Sequence, residues 1–107
     1  MKISVIIPAL NEEDVIESTI REIPIDELKK CGFDTEIIVI DNNSTDKTAE
    51  IAKKAGAIVI KEPKIGYGNA YLRGFRESTG DIIVMGDADG TYPFDKIHEY
   101  IDDLAWG

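Results

Sequence analysis

Four short apolar runs alternate along the chain with segments that have helical spacing. The runs are Ile3 to Ile7, Glu36 to Ile40, Ala57 to Ile60 and Asp81 to Met85. They are rich in Ile and Val and show almost no polar alternation, which is typical of parallel strands covered on both faces. The pattern therefore predicts four buried strands.

The segments between the runs predict helices. After Asn11, apolar residues recur at helical spacing until Pro24, which ends the helix, and we predict only a short turn over residues 26–30. The next helix is predicted over residues 45–55. Its expected N-cap is Ser44 or the preceding Asn, and Gly56 is expected to close it.

Two further helices are predicted in the second half of the chain. One covers residues 69–78, stops at Gly80, and presents on one face Ala70, Tyr71, Gly74 and Phe75. The last begins at Pro93, a favourable first-turn residue. Its predicted inward positions are Phe94, Ile97, Ile101 and Leu104.

This strict alternation of strands and helices indicates the α/β class. We predict a Rossmann-like parallel sheet of about four strands with helices on both faces. The 107 residues suit a single domain over positions 1–107, because the chain shows no linker, internal repeat or low-complexity segment.

Composition narrows the function classes. The net charge of −9, from 21 acidic and 12 basic residues, argues against a nucleic-acid binder, which needs a basic face. Cys31 is the single cysteine, so it forms no internal disulfide, and we interpret it as inert. No apolar run approaches the roughly 20 residues that span a bilayer, so we expect a soluble chain.

Polar residues follow every predicted strand. Because parallel strands place their carboxyl ends at one rim of a sheet, these segments should be neighbours in space. They are residues 8–13, 41–46, 61–70 and 86–91. The opposite rim is expected to carry plainer chemistry, with Thr35, Gly56 and Gly80-Asp81. This asymmetry predicts a binding site at the carboxyl rim.

Asp87 and Asp89 follow the last strand at positions i and i+2. Taken alone, one of them could cap the next helix while the other is solvated. Beside the other polar segments, a pair that shares a divalent cation is favoured. His98, the single histidine, is interpreted as a surface residue, so no zinc set or catalytic triad can be built. An all-oxygen site that binds Mg²⁺ or Mn²⁺ remains.

The middle segments add ligand-binding candidates. Asp41, first after its strand, could accept hydrogen bonds from a base or a ribose, whereas Asp46 is favoured as a structural turn residue. Gly66 and Gly68 precede a helix whose N-terminus could face an anion. The spacing and placement of these glycines do not fit a nicotinamide-binding fingerprint. Arg73 could turn toward the rim from this helix.

With these segments in place, the chain resembles family 2 glycosyltransferases, the group that includes dolichol-phosphate mannose synthases and related polyprenyl-phosphate sugar transferases. The resemblance covers nearly the whole chain. It rests on Val5-Ile-Ile-Pro-Ala-Leu-Asn-Glu-Glu13, Ile38-Val-Ile-Asp-Asn-Asn-Ser-Thr-Asp46, Gly66-Tyr-Gly-Asn-Ala70 with Arg73-Gly-Phe75, and Gly80-Asp-Ile-Ile-Val-Met-Gly-Asp-Ala-Asp89.

The resemblance implies the N-terminal, donor-binding half of a GT-A fold and a nucleotide-diphosphate sugar as donor. Asp87 and Asp89 would be the catalytic Asp-x-Asp, with Asp89 nearest the metal and Ala88 between them. The other implied contacts to the donor are Pro8, Ala9, Asn11, Glu12, Asp41, Gly68, Asn69 and Arg73.

The family also implies inversion at the anomeric carbon and, in this group, a lipid-phosphate acceptor at a membrane surface. We therefore expect a cytoplasmic protein with peripheral membrane contact as an option, and an exposed sheet edge could pair two copies as a homodimer. Relatives of the dolichol-phosphate type often carry Gln where this chain has Thr91, and a full domain of this fold is longer.

Two other interpretations remain open from the sequence. Asp87-Ala-Asp-Gly-Thr91 after a strand also resembles the nucleophile motif of haloacid-dehalogenase-type phosphatases, in which Asp87 would attack phosphorus. Alternatively, the chain could be a nucleotide- or metal-binding module without catalysis.

Overall fold

A computed structural model describes residues 1–88, 93–97 and 99 of the chain. Four strands form one parallel sheet: β1 (Lys2–Ala9), β2 (Asp34–Asp41), β3 (Ile58–Lys61) and β4 (Ile82–Met85), in the order β3-β2-β1-β4. The α/β, Rossmann-like fold class and all four predicted strands are confirmed.

Four α-helices and a 3₁₀ turn connect or flank these strands in the described residues. They are α1 (Ile16–Arg21), α2 (Ile25–Lys30), α3 (Thr48–Lys54), α4 (Tyr67–Glu77) and the 3₁₀ turn Phe94–Lys96. Helices α1 to α3 pack with the 3₁₀ turn on one face of the sheet, where the larger core cluster lies. Helix α4 covers the other face, over Ile6, Ile38 and Ile40. The predicted coverage of both faces is confirmed.

The predicted turn over residues 26–30 is wrong, because those residues form α2. Pro24 ends the preceding segment and is also the N-cap residue of α2. Acidic residues lie in the first turn of α2 and Lys29 and Lys30 in its last, an arrangement that suits the helix dipole. Pro24 therefore separates two short helices.

Helix α3 begins three residues later than predicted, at Thr48, and neither Asn43 nor Ser44 caps it. Instead, an Asp46 carboxylate oxygen accepts the Thr48 backbone N–H at 3.0 Å. Gly56 follows the helix with a φ of +100°, as predicted for a closing glycine. The helix boundary was missed because three neighbouring residues could each have served as the cap.

Helix α4 begins two residues earlier than predicted and lies very close to the sheet. A Cβ atom at Gly74 would overlap the Ile6 side chain, so only glycine permits this approach. Phe75, which the sequence pattern groups on one face with Ala70 and Gly74, is 54% exposed, whereas those two residues are buried.

The start of the last predicted helix is present as the 3₁₀ turn after Pro93. Phe94 and Ile97 are buried in the larger core cluster, as predicted. The predicted inward residues Ile101 and Leu104, and also His98, lie outside the described residues.

The amino ends of the strands carry a polar network that we name the amino-rim network: Lys2, Ser4, Glu36, Thr79 and Gly80. The Glu36 carboxylate accepts hydrogen bonds from the Ser4 hydroxyl at 2.5 Å and from the Thr79 N–H at 2.8 Å. It also accepts one from the Thr79 hydroxyl at 3.1 Å, and the Lys2 ammonium lies 3.4 Å away. The expectation of plain chemistry at this rim is wrong.

These contacts control the ionisation of Glu36. Partial burial alone would raise its pKa, but the hydrogen bonds from Ser4, Thr79 and Lys2 together hold the pKa below the usual range. The network fixes the segment that enters β4, because the Gly80 N–H also donates to the Ser4 hydroxyl at 2.8 Å.

Candidate functional site

The carboxyl ends of three strands lie level with one another. Ala9 of β1 is in register with Asp41 of β2, which is in register with Lys61 of β3. Backbone hydrogen bonds continue this alignment into the loops, from Asn42 N–H to the Ala9 carbonyl and from Glu62 N–H to the Asp41 carbonyl. The loops that follow β1, β2 and β3 therefore meet at one rim.

A cavity of about 190 Å³ opens between these loops. Its lining is Pro8, Ala9, Leu10, Asn42, Ile65, Gly66 and Tyr67. The sequence pointed to Pro8 and Ala9 as ligand contacts, and the structure places both in this lining. Leu10, Asn42, Ile65 and Tyr67 were not singled out. Apolar walls with a few polar groups are the usual make-up of a small-molecule pocket.

Asp41 lies at the end of β2 and is 4% exposed. One carboxylate oxygen accepts the Ser44 N–H at 2.9 Å, so Asp41 also has a local turn-forming role. Within the described part of the chain, the second oxygen accepts no hydrogen bond. That oxygen can accept a hydrogen bond from a ligand.

Asn11 and Glu12 join the first loop to the second. The Asn11 N–H donates to the Ser44 hydroxyl at 3.0 Å, and the Asn11 side-chain oxygen accepts the Thr45 N–H at 2.8 Å. The Glu12 N–H donates to the Thr48 hydroxyl at 2.9 Å. Both residues directly follow the cavity wall at Leu10, but they are not part of its lining.

Asp46 has the structural role that the sequence favoured. One oxygen accepts both the N–H and the hydroxyl of Thr48, and the other accepts the Glu13 N–H at 3.2 Å. Desolvation would raise the pKa of Asp46, but these hydrogen bonds hold it below the usual value. Asp46 therefore helps to hold the first two loops together.

Asp87 lies just beyond β4, where two side chains fix its segment. The Tyr71 hydroxyl donates to one Asp87 carboxylate oxygen at 2.7 Å. The Thr19 hydroxyl lies 3.3 Å from the Ala88 carbonyl, buried between α1 and this segment. The other Asp87 oxygen accepts no hydrogen bond from a described residue, so it can face a cation or a ligand.

Asp89, the predicted metal ligand, lies outside the described residues. Among the residues that the structure does describe, no three acidic, histidine or cysteine side chains come together as a metal cage. The available oxygen of Asp87 nevertheless has the donor chemistry that Mg²⁺ and Mn²⁺ prefer.

Gly68, Asn69 and Arg73 lie on α4. Gly68 has open space around it, whereas the Asn69 amide donates to the Ile65 carbonyl at 3.3 Å. The Arg73 guanidinium pairs with Glu77 at 3.2 Å and lies 3.9 Å from Glu62 in the loop after β3. The Arg73 charge is thus shared between one carboxylate in the loop after β3 and one at the far end of its own helix.

The chain matches the sequence profile described as Glycosyl transferase family 2 over residues 4–106. The chain belongs to this family. The match covers most of β1, the other three strands and both aspartates of the Asp-x-Asp, and it removes the support for the phosphatase interpretation of Asp87.

Relatives agree with this assignment. The chain is 42% identical over 107 residues to the low-salt glycan biosynthesis hexosyltransferase Agl6 of Haloferax volcanii, and covers 25% of that protein. It is 34% identical over 112 residues to the dolichol-phosphate mannosyltransferase of Pyrococcus furiosus, and covers 31% of it. The alignments include 98% and 100% of this chain, so the chain spans a quarter to a third of these two relatives.

Solved structures show the same fold. Glucosyl-3-phosphoglycerate synthase from Mycobacterium tuberculosis in complex with uridine diphosphate superposes with a TM-score of 0.81 at 35% identity. That superposition covers 99% of this chain and 40% of the synthase. A further complex of the synthase, with Mn²⁺, UDP-glucose and phosphoglyceric acid, superposes with a TM-score of 0.69 at 38% identity over 81% of this chain and 33% of the synthase.

Besides the cavity residues Leu10, Ile65 and Tyr67, sequence reasoning missed three polar residues of the site: Thr19, Asn42 and Tyr71. Thr19 and Tyr71 looked like members of helix faces, and Asn42 like an ordinary turn residue. Their roles depend on contacts between segments far apart in sequence. A polar side chain on an otherwise apolar helix face, such as Thr19, was the available signal.

Proposed function

We propose that this chain is the donor-binding half of a glycosyltransferase that takes a nucleotide-diphosphate sugar at the carboxyl rim. The observation that carries the proposal is the cavity between the loops after β1, β2 and β3, with the Asp41 and Asp87 carboxylates at the same end of the sheet. The mycobacterial synthase of the same fold was crystallised with UDP-glucose and Mn²⁺, which supports a donor of this class.

Different residues of the rim contact different parts of the donor. Pro8 and Ala9 form one wall for the nucleoside, and the second oxygen of Asp41 accepts a hydrogen bond from the base or the ribose. Asn11 and Glu12 support this wall through their contacts to the second loop. The donor's phosphates and sugar lie toward helix α4. They face its first turn, with Gly68 and Asn69, and the Arg73 guanidinium.

A divalent cation, Mg²⁺ or Mn²⁺, would be held by Asp87 and Asp89 and would offset the negative charge of the departing nucleoside diphosphate. Within the chain, the Tyr71 hydroxyl orients the Asp87 carboxylate, and the Thr19 hydroxyl, 2.9 Å from the Val15 carbonyl, lies 3.3 Å from the Ala88 carbonyl. The Tyr71 contact fixes the orientation of Asp87 before a donor arrives.

We propose a polyprenyl phosphate as the acceptor, by similarity to the dolichol-phosphate mannosyltransferase, with transfer by direct displacement and inversion. An acceptor phosphate is already anionic and needs little help from a general base. No described helix combines the length and apolarity needed to cross a bilayer. Contact with a lipid acceptor would then be peripheral, at the cytoplasmic face.

Binding of the donor without turnover is the second candidate. The observation that favours it is the share of the relatives that this chain spans, a quarter to a third of the two described above. Transfer of radiolabelled sugar to a polyprenyl phosphate separates the two candidates.

Light scattering of the same sample tests pairing of two copies through the β4 edge, which among the described strands pairs with β1 alone.

Isothermal titration of the 107-residue chain with UDP, GDP and their sugars, with and without Mn²⁺, tests the proposal. We expect one nucleotide to bind, to bind more tightly with Mn²⁺, and to lose the Mn²⁺ effect in Asp89→Ala. A folded chain that binds none of these nucleotides would overturn the proposed function.

A further inference from the structure

Asn42 is a buried amide that joins three segments of the carboxyl rim. Its side-chain nitrogen donates to the carbonyls of Glu62 at 2.9 Å and Lys64 at 2.8 Å. Its side-chain oxygen accepts the Gly66 N–H at 2.8 Å, and its backbone N–H donates to Ala9 at 2.9 Å. Both amide protons are therefore used within the protein, and the side chain is left with little to offer a ligand.

The loop that Asn42 holds, residues 62–66, has little burial of its own. Pro63 and Lys64 are exposed, and Ile65 is 68% exposed. Loops of this kind open easily, because few apolar contacts oppose opening. Hydrogen bonds from side-chain amides to its carbonyls supply the order instead.

This loop is also one wall of the cavity. Ile65, Gly66 and Tyr67 line it opposite Pro8 to Leu10, and Asn42 lies between the two walls. Gly66 has a φ of +129°, a conformation that favours glycine, and the Asn42 oxygen accepts its N–H just before α4 begins. Asn42 thus makes three of the side-chain hydrogen bonds that hold this wall, beside single bonds from Asn43 to the Pro63 carbonyl and from Asn69 to the Ile65 carbonyl.

We propose that Asn42 is a positioning residue for donor binding, which sets the width of the nucleoside cavity by clamping residues 62–66. This inference rests on the proposed function. It assigns to Asn42 no contact with the donor. The clamp places the loop before binding, so the donor does not have to order it, and affinity rises for that reason.

The isosteric change Asn42→Asp tests the clamp. An aspartate keeps an acceptor for the Gly66 N–H, but it has no proton for the Glu62 and Lys64 carbonyls and turns a negative charge toward them. Asn43→Asp is the matched control, because it adds the same charge one residue away. Among the described residues, the Asn43 side chain makes one hydrogen bond, to the Pro63 carbonyl at 2.6 Å, and it does not line the cavity.

Two measurements test the clamp and the proposed function separately. Trypsin cleavage after Lys64, which is exposed within the loop, reports loop opening without any nucleotide. Calorimetric titration with UDP and Mn²⁺ reports affinity. We expect Asn42→Asp to raise the cleavage rate and to weaken UDP binding, each by about tenfold or more, and Asn43→Asp to change both clearly less.

The outcomes are distinguishable. Faster cleavage in Asn42→Asp with unchanged UDP affinity would overturn the positioning role, and unchanged cleavage would overturn the clamp itself. A wild-type chain that binds no UDP would show the failure of the proposed function, whatever trypsin reports, and would remove the donor role of Asn42 with it. Should Asn42→Asp lose its far-ultraviolet circular dichroism signal, Asn42→Ser, neutral and smaller, takes its place with the same expectations.

Discussion

At the amino ends of the strands, one carboxylate, Glu36, accepts three hydrogen bonds and pairs with Lys2. At the carboxyl ends, the Asp41 and Asp87 carboxylates each accept a single hydrogen bond from the described residues. Both rims contain hydroxyls, carboxylates and glycine. What differs is how far the protein itself satisfies the charged groups, and a carboxylate with an open oxygen is the one that can serve a ligand.

The number of hydrogen bonds that a carboxylate accepts within the protein also indicates whether it contributes mainly to stability or to ligand binding. A saturated network in a half-buried setting ties distant segments together, because the loss of one partner leaves others without hydrogen bonds. Unsatisfied acceptors beside an open cavity contribute less to folding. We therefore expect substitutions in the amino-rim network to change the free energy of unfolding, and substitutions of Asp41 and Asp87 to change ligand affinity.

The largest expected effect is on metal-dependent binding. Asp87→Ala should weaken nucleotide binding in the presence of Mn²⁺ by about 100-fold, since it removes a proposed metal ligand. The thermal unfolding midpoint should move little, because Asp87 makes one side-chain hydrogen bond among the described residues. A calorimetric titration checks the first expectation and a melting curve the second. An Mn²⁺ effect of wild-type size in this variant would contradict the metal role of Asp87.

The next largest effect is a change in stability when glycine is replaced by alanine, compared at one position on each rim. A Cβ at Gly80 would lie 2.6 Å from the backbone nitrogen of Ser4, whereas a Cβ at Gly68 meets nothing within 4 Å. We expect Gly80→Ala to lower the free energy of unfolding by about 2–3 kcal/mol, as overpacking against backbone does. Gly68→Ala should raise it by about 0.5 kcal/mol, because alanine favours helix. Urea unfolding measures the free energy of unfolding of both variants. Equal changes would contradict the expectation that the amino rim contributes more to stability than the carboxyl rim.

A smaller loss of stability is expected from Glu36→Gln, about 1–2 kcal/mol at neutral pH, with unchanged nucleotide affinity. The pKa of Glu36 is lowered in the folded state, so its ionised form stabilises the fold above the ordinary carboxyl range, near pH 4.3. This stabilisation is lost as the pH falls through the lowered pKa. Urea midpoints should therefore differ between wild type and variant at pH 6, and the difference should narrow as the pH falls below the ordinary carboxyl range. A constant difference would contradict the assigned role.

The smallest effect is expected at Tyr71. Tyr71→Phe removes the hydroxyl that lies 2.7 Å from an Asp87 oxygen and keeps the ring. Loss of such an orienting contact should weaken Mn²⁺-dependent nucleotide binding by about tenfold or less. Binding measured without Mn²⁺ is the control and should not change. Equal weakening with and without the metal would show that Tyr71 acts on the cavity rather than on Asp87.

The four strands and the helices other than α2 were predictable because they depend on local apolar patterns. Ile3 to Ile7 and Ile82 to Met85 could be recognised as buried strands from their own residues. Helix boundaries were less predictable. Asp46 was one of several polar residues that could precede α3, and the turn expected after Pro24 is a helix because one proline can both end and begin such a segment.

The rim was predictable in its location but not in its contacts. That Asp41 and Asp87 would lie at one end of the sheet follows from the parallel topology. The amide of Asn42, in contrast, finds its partners about 20 residues further along the chain, at Glu62 and Lys64. Glu36 meets Thr79 across the sheet 43 residues away, so no local pattern could reveal the amino-rim network.

The central claim is that the carboxyl rim, and not the amino rim, receives the donor nucleotide. Nuclear magnetic resonance of the ¹⁵N-labelled 107-residue chain, titrated with UDP and Mg²⁺, tests it most directly. We predict progressive shifts of the amide signals of Ala9, Asn42 and Gly66, while those of Ser4, Thr79 and Gly80 stay in place. Shifts confined to the amino-rim residues, or a folded chain with no shifts at saturating UDP, would contradict the account.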